Sequence, residues 1–392
     1  MREVLDRRPG VLQVSVDTSA DTLGQTADAP GHAADTPGRT DSSSEPRLIP
    51  ALAYTDLVGE PRAGDRCLLN STAWDRGLGT GGFALVVALP DRLPQDPRER
   101  PGHLIKARYT PLQAMVLGVD EQESPHHAAL RDADDVDGMP VVAADLHSSL
   151  PAVVAGVRSV DPSLRVAYVM SDGGALPAAF SRTTEALRSA GWVQAVVTTG
   201  QSYGGDLESV TVHTGLLAAR HVVAADVAVV VQGPGNLGTG TTWGFSGVAA
   251  GEALNAAAVL GGRPVAALRV SAADPRDRHR GLSHHSLTAY GRVLAHPADL
   301  VVPALQGCAG VGDDFAERVH REAQELAAAA PHLREVQVDC TGLDTALADV
   351  PGGLLTMGRG YRQDPAAFLA AAAAGVHAAE LVRTRPPGRP RR

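Results

Sequence analysis

The chain has 392 residues, a formal net charge of -9 at pH 7, and 44% hydrophobic and 20% charged residues. This length allows two domains and a large core. The acidic balance argues against a general nucleic-acid binder, which would carry a basic surface.

The cysteines and the apolar segments indicate a cytoplasmic protein. Cys67, Cys308 and Cys340 lie far apart, which excludes a disulfide framework and a zinc knuckle and fits a reducing compartment. The N-terminus has no apolar signal segment. The longest apolar run, Ala366 to Val376, is shorter than the ~20 residues of a membrane span. We therefore expect no membrane association.

The first ~115 residues have the pattern of a small β-domain, a barrel or a sandwich. Gly, Pro and Asp separate short apolar segments, and these predict strands at Val11–Val16, Arg47–Ala53, Arg66–Asn70, Phe83–Leu89 and Leu104–Tyr109. Residues 18–46 are rich in Asp, Ala, Thr, Pro, Gly and Ser. They have little to bury and are predicted to be a disordered insertion.

The second part of the chain has the pattern of an α/β domain over residues 139–382, after an acidic linker at 116–138. Apolar runs alternate with helical patterns, which predicts a Rossmann-like, doubly wound, mostly parallel sheet. Its predicted strands are Val141–Ala144, Val166–Met170, Ala195–Thr198, Val227–Val231, Pro264–Val270, Leu300–Val302 and Glu335–Val338. Residues 383–392 are basic and proline-rich and are predicted to be a disordered tail.

A glycine-rich loop follows the apolar strand at Val227–Val231. Glycine has no Cβ, so the backbone of such a loop can approach an anion closely. The segment 233–238 matches G-x-G-x-x-G, but it follows the fourth strand, and no acidic residue ends the next strand. A dinucleotide fingerprint is therefore not predicted. The sequence contains neither a P-loop nor a G-x-S-x-G elbow.

Polar residues follow five of the predicted strands, and the carboxyl ends of parallel strands meet at one edge of a sheet. We therefore predict one site there. The predicted catalytic residues are His147, Asp172, Asp206, Asp274, His284 and His285. The predicted ligand-binding residues are Gly173, Gly174, Gly204, Gly205, Gly233, Gly235, Asn236, Gly238, Thr239, Gly240, Thr241, Arg278 and His279. Taken one by one, the aspartates fit helix caps and the glycines fit tight turns equally well.

The segment 274–286 is dense in Arg and His. Its arginines can hold phosphate or carboxylate, or they can pair with Asp274 and Asp277. A histidine paired with Asp145, Asp172 or Asp274 would serve as a general base. Histidines here could also ligate a divalent metal, although no compact spacing such as HExxH supports that alternative.

Several longer motifs carry a resemblance to a known family. They include Tyr168–Pro177, Gly204–Glu208, Gly233–Gly235, Gly238–Thr241, Trp243–Gly247, Arg280–Ser286 and, nearer the N-terminus, Gly64–Asp65, Leu69–Thr72 and Leu78–Gly82. In these motifs the chain resembles an uncharacterised bacterial family, domain of unknown function three-eight-six-six. The resemblance covers nearly the whole chain apart from the insertion and the tail. It implies a two-part architecture and brings no activity or cofactor.

The sequence thus favours an enzyme that acts on a small anionic or phosphorylated ligand. Glycine loops would hold the anion, and a His–Asp pair would move protons. A non-catalytic ligand-binding or sensory module and a metal-dependent hydrolase are the alternatives. The oligomeric state is left open, with a homo-oligomer allowed.

Overall fold

The computed structural model describes residues 1–18, 48–78, 81–94 and 101–384. Its contacts divide the chain into two compact units, residues 1–98 and 99–392. The predicted insertion at 18–46, apart from Thr18, and the predicted tail from residue 385 onwards lie outside the described residues.

The first unit is one five-stranded sheet with two short helices. Its elements are β1 (Glu3–Arg8), β2 (Val11–Asp17), β3 (Leu48–Tyr54), α1 (Thr55–Val58), β4 (Leu68–Asn70), α2 (Thr72–Asp75) and β5 (Ala84–Ala88). The sheet order is β1-β2-β3-β5-β4, and only the pair of β3 and β5 is parallel. The prediction missed β1 because this strand, Glu-Val-Leu-Asp-Arg-Arg, is largely polar and exposed.

The second unit contains an eight-stranded parallel sheet, as the alternation of strands and helices predicted. Its strands are β8 (Pro140–Ala143), β9 (Val166–Ser171), β10 (Ala195–Thr198), β11 (Leu207–Glu208), β12 (Val227–Gln232), β13 (Arg263–Ala267), β16 (Ala298–Ala304) and β17 (Leu333–Asp339). The sheet order is β11-β10-β9-β12-β8-β13-β16-β17. Every residue of β8, β9 and β12 is buried, which explains their continuous apolar sequences.

Helices cover both faces of this sheet. They are α3 (His127–Leu130), α4 (Leu150–Val160), α5 (Arg182–Ser189), α6 (Val212–His221), α7 (Ala249–Val259), α8 (His284–Thr288), α9 (Asp313–Ala329), α10 (Leu343–Ala348) and α11 (Pro365–Arg383). Helices α4, α10 and α11 pack together on one face, and α6, α7 and α9 pack on the other. The unit is therefore doubly wound, which confirms the predicted fold class.

Three short antiparallel pairs complete the second unit. They are β6 (Leu104–Lys106) with β7 (Ala114–Val116), β14 (Val270–Ser271) with β15 (Gly281–Leu282), and β18 (Leu355–Thr356) with β19 (Arg359–Gly360). None of the three had been predicted as a pair, because strands of two or three residues carry no periodic signal.

Helix α11 is longer than the apolar run seen in the sequence. It has 19 residues and a mean hydropathy of 1.5, so by length and composition alone it would also suit a membrane span. However, 83% of its apolar stretch is buried inside the fold, where it contacts α4, β8, β13 and β16. We interpret α11 as the central core helix of the second unit.

The segment between the predicted domains differs from the prediction. We had placed Leu104–Tyr109 in the β-domain and residues 116–138 in a linker. In the structure, Nζ of Lys106 donates to the backbone oxygens of Ser202 and Ser209 at 2.8 Å each, which ties β6 to the second unit. Val119, Leu130 and Val136 of the supposed linker are buried in the core of that unit. Acidic residues separate these apolar core residues in the sequence, so the segment had the composition of a linker.

Candidate functional site

The candidate site lies at the carboxyl ends of β8, β12 and β13. The chain leaves β8 towards β9 and leaves β13 towards β16, in opposite directions along the sheet. Such a reversal opens a crevice where ligands bind in open α/β sheets. Here the structure has a cleft of about 110 Å³.

One wall of the cleft is the glycine-rich loop and the other is the Arg- and His-rich segment after β13. The loop side comprises Asn236, Leu237, Gly238, Gly240, Thr241 and Phe245. The basic side comprises Arg269, Arg276, Arg278, His279, His284 and His285. Leu146 and Met357 complete the lining. Two of the five loops that we predicted to meet thus supply most of the cleft.

Asp145 is the buried carboxylate behind the basic wall. It lies two residues after the end of β8, and its backbone oxygen accepts a hydrogen bond from Nε2 of Gln232 at 2.8 Å. Its Oδ2 accepts bonds from Nη1 of Arg269 at 3.1 Å and Nδ1 of His285 at 2.8 Å. Burial alone would raise the pKa of Asp145, but the charge of Arg269 and the bond from His285 outweigh burial and lower it. The carboxylate is therefore charged.

His285 is held by this carboxylate and by an aromatic ring. Its ring stacks on Phe245 with the centroids 3.7 Å apart and the planes 4° apart. Nδ1 also lies 2.9 Å from Nη1 of Arg269. We assign the Nδ1 proton to the bond with Asp145, because a carboxylate is the strongest acceptor nearby and a guanidinium accepts nothing. The lone pair of His285 is then on Nε2.

His279 and His284 lie beside His285 and are both neutral at physiological pH. Burial, followed by the charges of Arg269 and Arg276, lowers the pKa of His279 to about 3. Burial lowers the pKa of His284 to about 4. Ser283 caps α8 by accepting a bond from the backbone N–H of His285. The Ser283 hydroxyl also lies 2.7 Å from Nδ1 of His279.

The three arginines of the cleft differ in their partners. Arg269 is neutralised by Asp145, and Arg276 forms two bonds with Asp274 at 2.9 and 2.8 Å. The hydrogen bonds from Arg276 hold the pKa of Asp274 well below its usual range. Arg278 is exposed and, within the described part of the chain, makes no ion pair. Arg278 is therefore the cation available to a ligand.

Side-chain hydrogen bonds fix the shape of the glycine-rich loop. Oδ1 of Asn236 accepts from the Ser246 hydroxyl at 2.8 Å, and that hydroxyl accepts from the backbone N–H of Leu237 at 3.0 Å. The hydroxyls of Thr239 and Thr241 lie 3.1 Å apart. Gly235 and Gly240 have φ of +94° and +80°, which disfavour other residues. The loop thus presents a defined backbone to the cleft.

His147, a predicted catalytic residue, lies outside the cleft lining. Its Nε2 is 2.7 Å from the hydroxyl of Ser181, and its Nδ1 is 3.2 Å from the hydroxyl of Tyr168. Burial of the ring lowers the pKa of His147 to about 4. Ser181 is itself buried and caps α5, so the packing of the fold explains the contact between His147 and Ser181.

Three predicted catalytic aspartates also have structural contacts. Oδ2 of Asp172 accepts from the backbone N–H of Gln201 at 2.9 Å. Asp206 accepts from the backbone N–H of Val196 at 2.7 Å and pairs with Arg188. It precedes the edge strand β11. Asp274 pairs with Arg276 of the cleft and with Arg359. In these contacts the three residues fix turns and side chains.

Four of the predicted ligand-binding glycines serve close packing. A Cβ at Gly173, Gly174 or Gly233 would lie 2.1–2.3 Å from atoms of the neighbouring strand loop, and one at Gly205 would lie 2.7 Å from the oxygen of Val196. Gly204 instead has φ of +84° in a tight turn. All five lie outside the cleft lining. The loops after β9 and β10 pack against other backbone, and so does the first residue of the loop after β12, whereas the rest of that loop and the loop after β13 remain open.

Sequence reasoning missed several residues of the cleft. Arg269 follows β13, and an arginine at the end of an apolar strand is a signal that could have been used. Phe245 could have been suspected from its place at the end of the glycine loop. Met357 comes from the turn between β18 and β19, with φ of +48°, and nothing in the sequence relates it to the site.

A family model with the description "Protein of unknown function (DUF3866)" matches residues 50–375. The chain belongs to this family. All of the cleft residues of this DUF3866 protein lie inside the matched range. Neither the curated proteins nor the solved structures contain a match to the chain.

Proposed function

We propose that this DUF3866 protein is an enzyme that acts on a small anionic ligand, phosphorylated or carboxylated, bound in the cleft. The observation that carries this proposal concerns Arg278. This residue is an exposed cation without an ion pair within the described chain, and it faces the glycine-rich loop across the cleft. His285, which is bonded to Asp145 behind it, lines the same cleft.

Charge favours an anion at this place although the chain as a whole is acidic. The lining has three arginines and three histidines, and none of its residues is Asp or Glu. Asp145 and Asp274 neutralise Arg269 and Arg276 from behind, which leaves Arg278 to attract a ligand. A guanidinium binds phosphate and carboxylate through paired hydrogen bonds.

The size of the cleft favours a small group. Its volume of about 110 Å³ is below the ~300–1,000 Å³ of typical ligand pockets. A phosphate or carboxylate group suits this space, and a dinucleotide does not. The three cysteine thiols are free, and we place the reaction in the cytoplasm.

The couple of His285 and Asp145 supports catalysis over binding alone. With its Nδ1 proton held by Asp145, His285 has the Nε2 lone pair that a general base needs. Asp145 would then hold the ring in the orientation that the reaction needs.

Ligand-induced stabilisation tests the anion site. We expect inorganic phosphate, or a simple phosphate monoester, to raise the melting temperature of the wild-type protein. Arg278→Ala should remove that shift, and Arg321→Ala, which changes an exposed arginine on α9, should keep it. The proposal fails if a panel of phosphates and carboxylates leaves the wild type unchanged, or if Arg278→Ala responds like the wild type.

Turnover separates an enzyme from a binding module. A ligand that raises the melting temperature should be converted over hours in the wild type, which phosphorus or proton NMR would record. His285→Gln should bind it without converting it. Binding with an unaltered NMR spectrum in the wild type would identify a sensory or storage protein instead.

A further inference from the structure

Three imidazole rings converge on the basic wall of the cleft. His279, His284 and His285 each offer a ring nitrogen, and these nitrogens all lie within 4.8 Å of one another. The ring centroids are 5.0, 4.8 and 4.5 Å apart for the three pairs. His279 comes from the turn before β15, and the other two come from the first turn of α8. Only the short strand β15 separates these two segments in the chain.

We propose that His279, His284 and His285 bind one divalent transition-metal ion of the zinc type. This inference rests on the proposed function in that the ion would complete the same anion site. In the metal-bound protein Nε2 of His285 would be a ligand and no longer a general base, and the ion would instead supply a bound water of lowered pKa. Three neutral imidazoles are a recurrent ligand set for catalytic zinc, in which the fourth position is open to water or substrate. Here that position would face the cleft on the side of Arg278.

The hydrogen bonds around the rings direct the right nitrogens towards the ion. Nδ1 of His285 donates to Asp145, and Nδ1 of His279 lies 2.7 Å from the Ser283 hydroxyl. That hydroxyl has two lone pairs, so it can accept from both His279 and the backbone N–H of His285. Both rings then keep the Nε2 lone pair for a metal. Histidine ligands of metals in proteins are held by outer hydrogen bonds of this kind.

His284 provides an independent observation. Its Nε2 is buried and, in the described structure, has no hydrogen-bond partner. Buried polar atoms of side chains are almost always paired, so an unpaired one needs a physical explanation. Coordination to an ion shared with His279 and His285 would supply it. Stacking on Phe245 explains the position of His285 but not that of His284, whose ring meets Phe245 only edge-on.

The ligand set also indicates which ion fits. Imidazole nitrogen suits Zn²⁺, Co²⁺, Ni²⁺ and Cu²⁺, whereas Mg²⁺ and Ca²⁺ require oxygen ligands. The nearest carboxylate, Asp145, is already bonded to Arg269 and His285 and stands behind the ring. We therefore expect zinc-type selectivity and no affinity for magnesium.

Metal binding can be measured on the full-length chain without a histidine tag, after treatment with a chelator. Calorimetry with ZnCl₂ should give one ion per chain, and CoCl₂ should give the visible absorption of a low-symmetry site. His279→Ala and His284→Ala should each weaken binding about 100-fold or more. His213→Ala, which removes an exposed histidine on α6, is the matched control and should bind as the wild type does.

Asp145→Asn tests the positioning role of the carboxylate. It should keep one ion per chain, weaken binding about 10–100-fold and shift the cobalt absorption spectrum. A purely structural role for Asp145 would leave the cobalt spectrum of the folded variant unchanged. Circular dichroism confirms the fold of each variant.

The two proposals fail separately. A flat titration of the wild type with Zn²⁺, Co²⁺ and Ni²⁺, or equal binding by His284→Ala and His213→Ala, overturns the metal site. If phosphate still stabilises the chelated protein, the proposed function survives that result. If the protein binds metal tightly but no phosphate or carboxylate raises its melting temperature, the proposed metal site stands and the proposed anionic ligand is wrong.

Discussion

Asp145 is a carboxylate that the fold keeps charged although only 4% of its surface is exposed. The fold pairs this carboxylate with Arg269, which is 9% exposed, and with His285. A buried ion pair contributes little net stability, but removal of one partner leaves an uncompensated buried charge. The residue that organises the cleft is therefore also one whose loss strains the fold.

Asp145→Ala should lower the free energy of unfolding by about 3–5 kcal/mol, because it leaves the guanidinium of Arg269 buried without a counter-charge. The double variant Asp145→Leu, Arg269→Met should lose much less, since both charges are absent. Urea unfolding of the three proteins measures this. A loss below about 1 kcal/mol in Asp145→Ala would show that water reaches Arg269.

His147 gives a prediction for pH. Its pKa is about 4 in the fold and 6.5 when unperturbed, so the unfolded chain takes up the proton first as the pH falls. Its stabilising contribution is complete above about pH 6.5 and is lost as the pH falls towards 4. His147→Asn cannot titrate in this range.

The free energy of unfolding should therefore fall more steeply in the wild type than in His147→Asn between pH 7 and pH 4.5. Denaturant titrations at several pH values provide the comparison. Parallel curves for the two proteins would mean that His147 is solvated in the native state.

At the scale of elements, the contact between α4 and α11 depends on two glycines. A Cβ at Gly156 would lie 1.9 Å from the backbone oxygen of Ala372, and a Cβ at Gly375 would lie 1.9 Å from that of Val153. Backbone atoms in packed helices cannot move aside as side chains do. The two helices therefore approach one another only because these positions lack a side chain.

Gly375→Ala should destabilise the protein by about 1–3 kcal/mol or more, although alanine favours a helix. Gly312→Ala is the control, because nothing lies within 4 Å of a Cβ there and φ is -77°. It should lower stability by less than about 1 kcal/mol, because only the preference of an N-cap for Gly over Ala is lost there. Thermal melts of both variants measure this difference. If Gly375→Ala and Gly312→Ala have the same melting temperature, α11 moves away from α4 without a loss of stability.

Long elements with a strong pattern could be predicted from the sequence. The predicted strand at Ala195–Thr198 is β10 itself, and those for β8, β9 and β12 are within one residue of the structure at each end. Helix α6 begins only at Val212, because Thr211 caps it and the preceding Leu207–Glu208 pair with the sheet edge. Two-residue strands such as β18 follow from tertiary pairing, which no local pattern encodes.

At the scale of the whole molecule, the site depends on strand order. The sequence predicts that five loops end at one edge of the sheet, but it does not predict which strands are neighbours. With β8 between β12 and β13, the loops after β12 and β13 flank Asp145. The loops after β9 and β10 lie farther along the sheet, which is why Asp172 and Asp206 have other roles while His284 and His285 line the cleft.

The most direct test of this account is a crystal structure grown with ZnCl₂ and phosphate, with anomalous data at the zinc edge. We predict one strong anomalous peak between His279, His284 and His285, and a phosphate in contact with Arg278 and the glycine-rich loop. Peaks only at surface sites, with the cleft free of phosphate, would contradict the account.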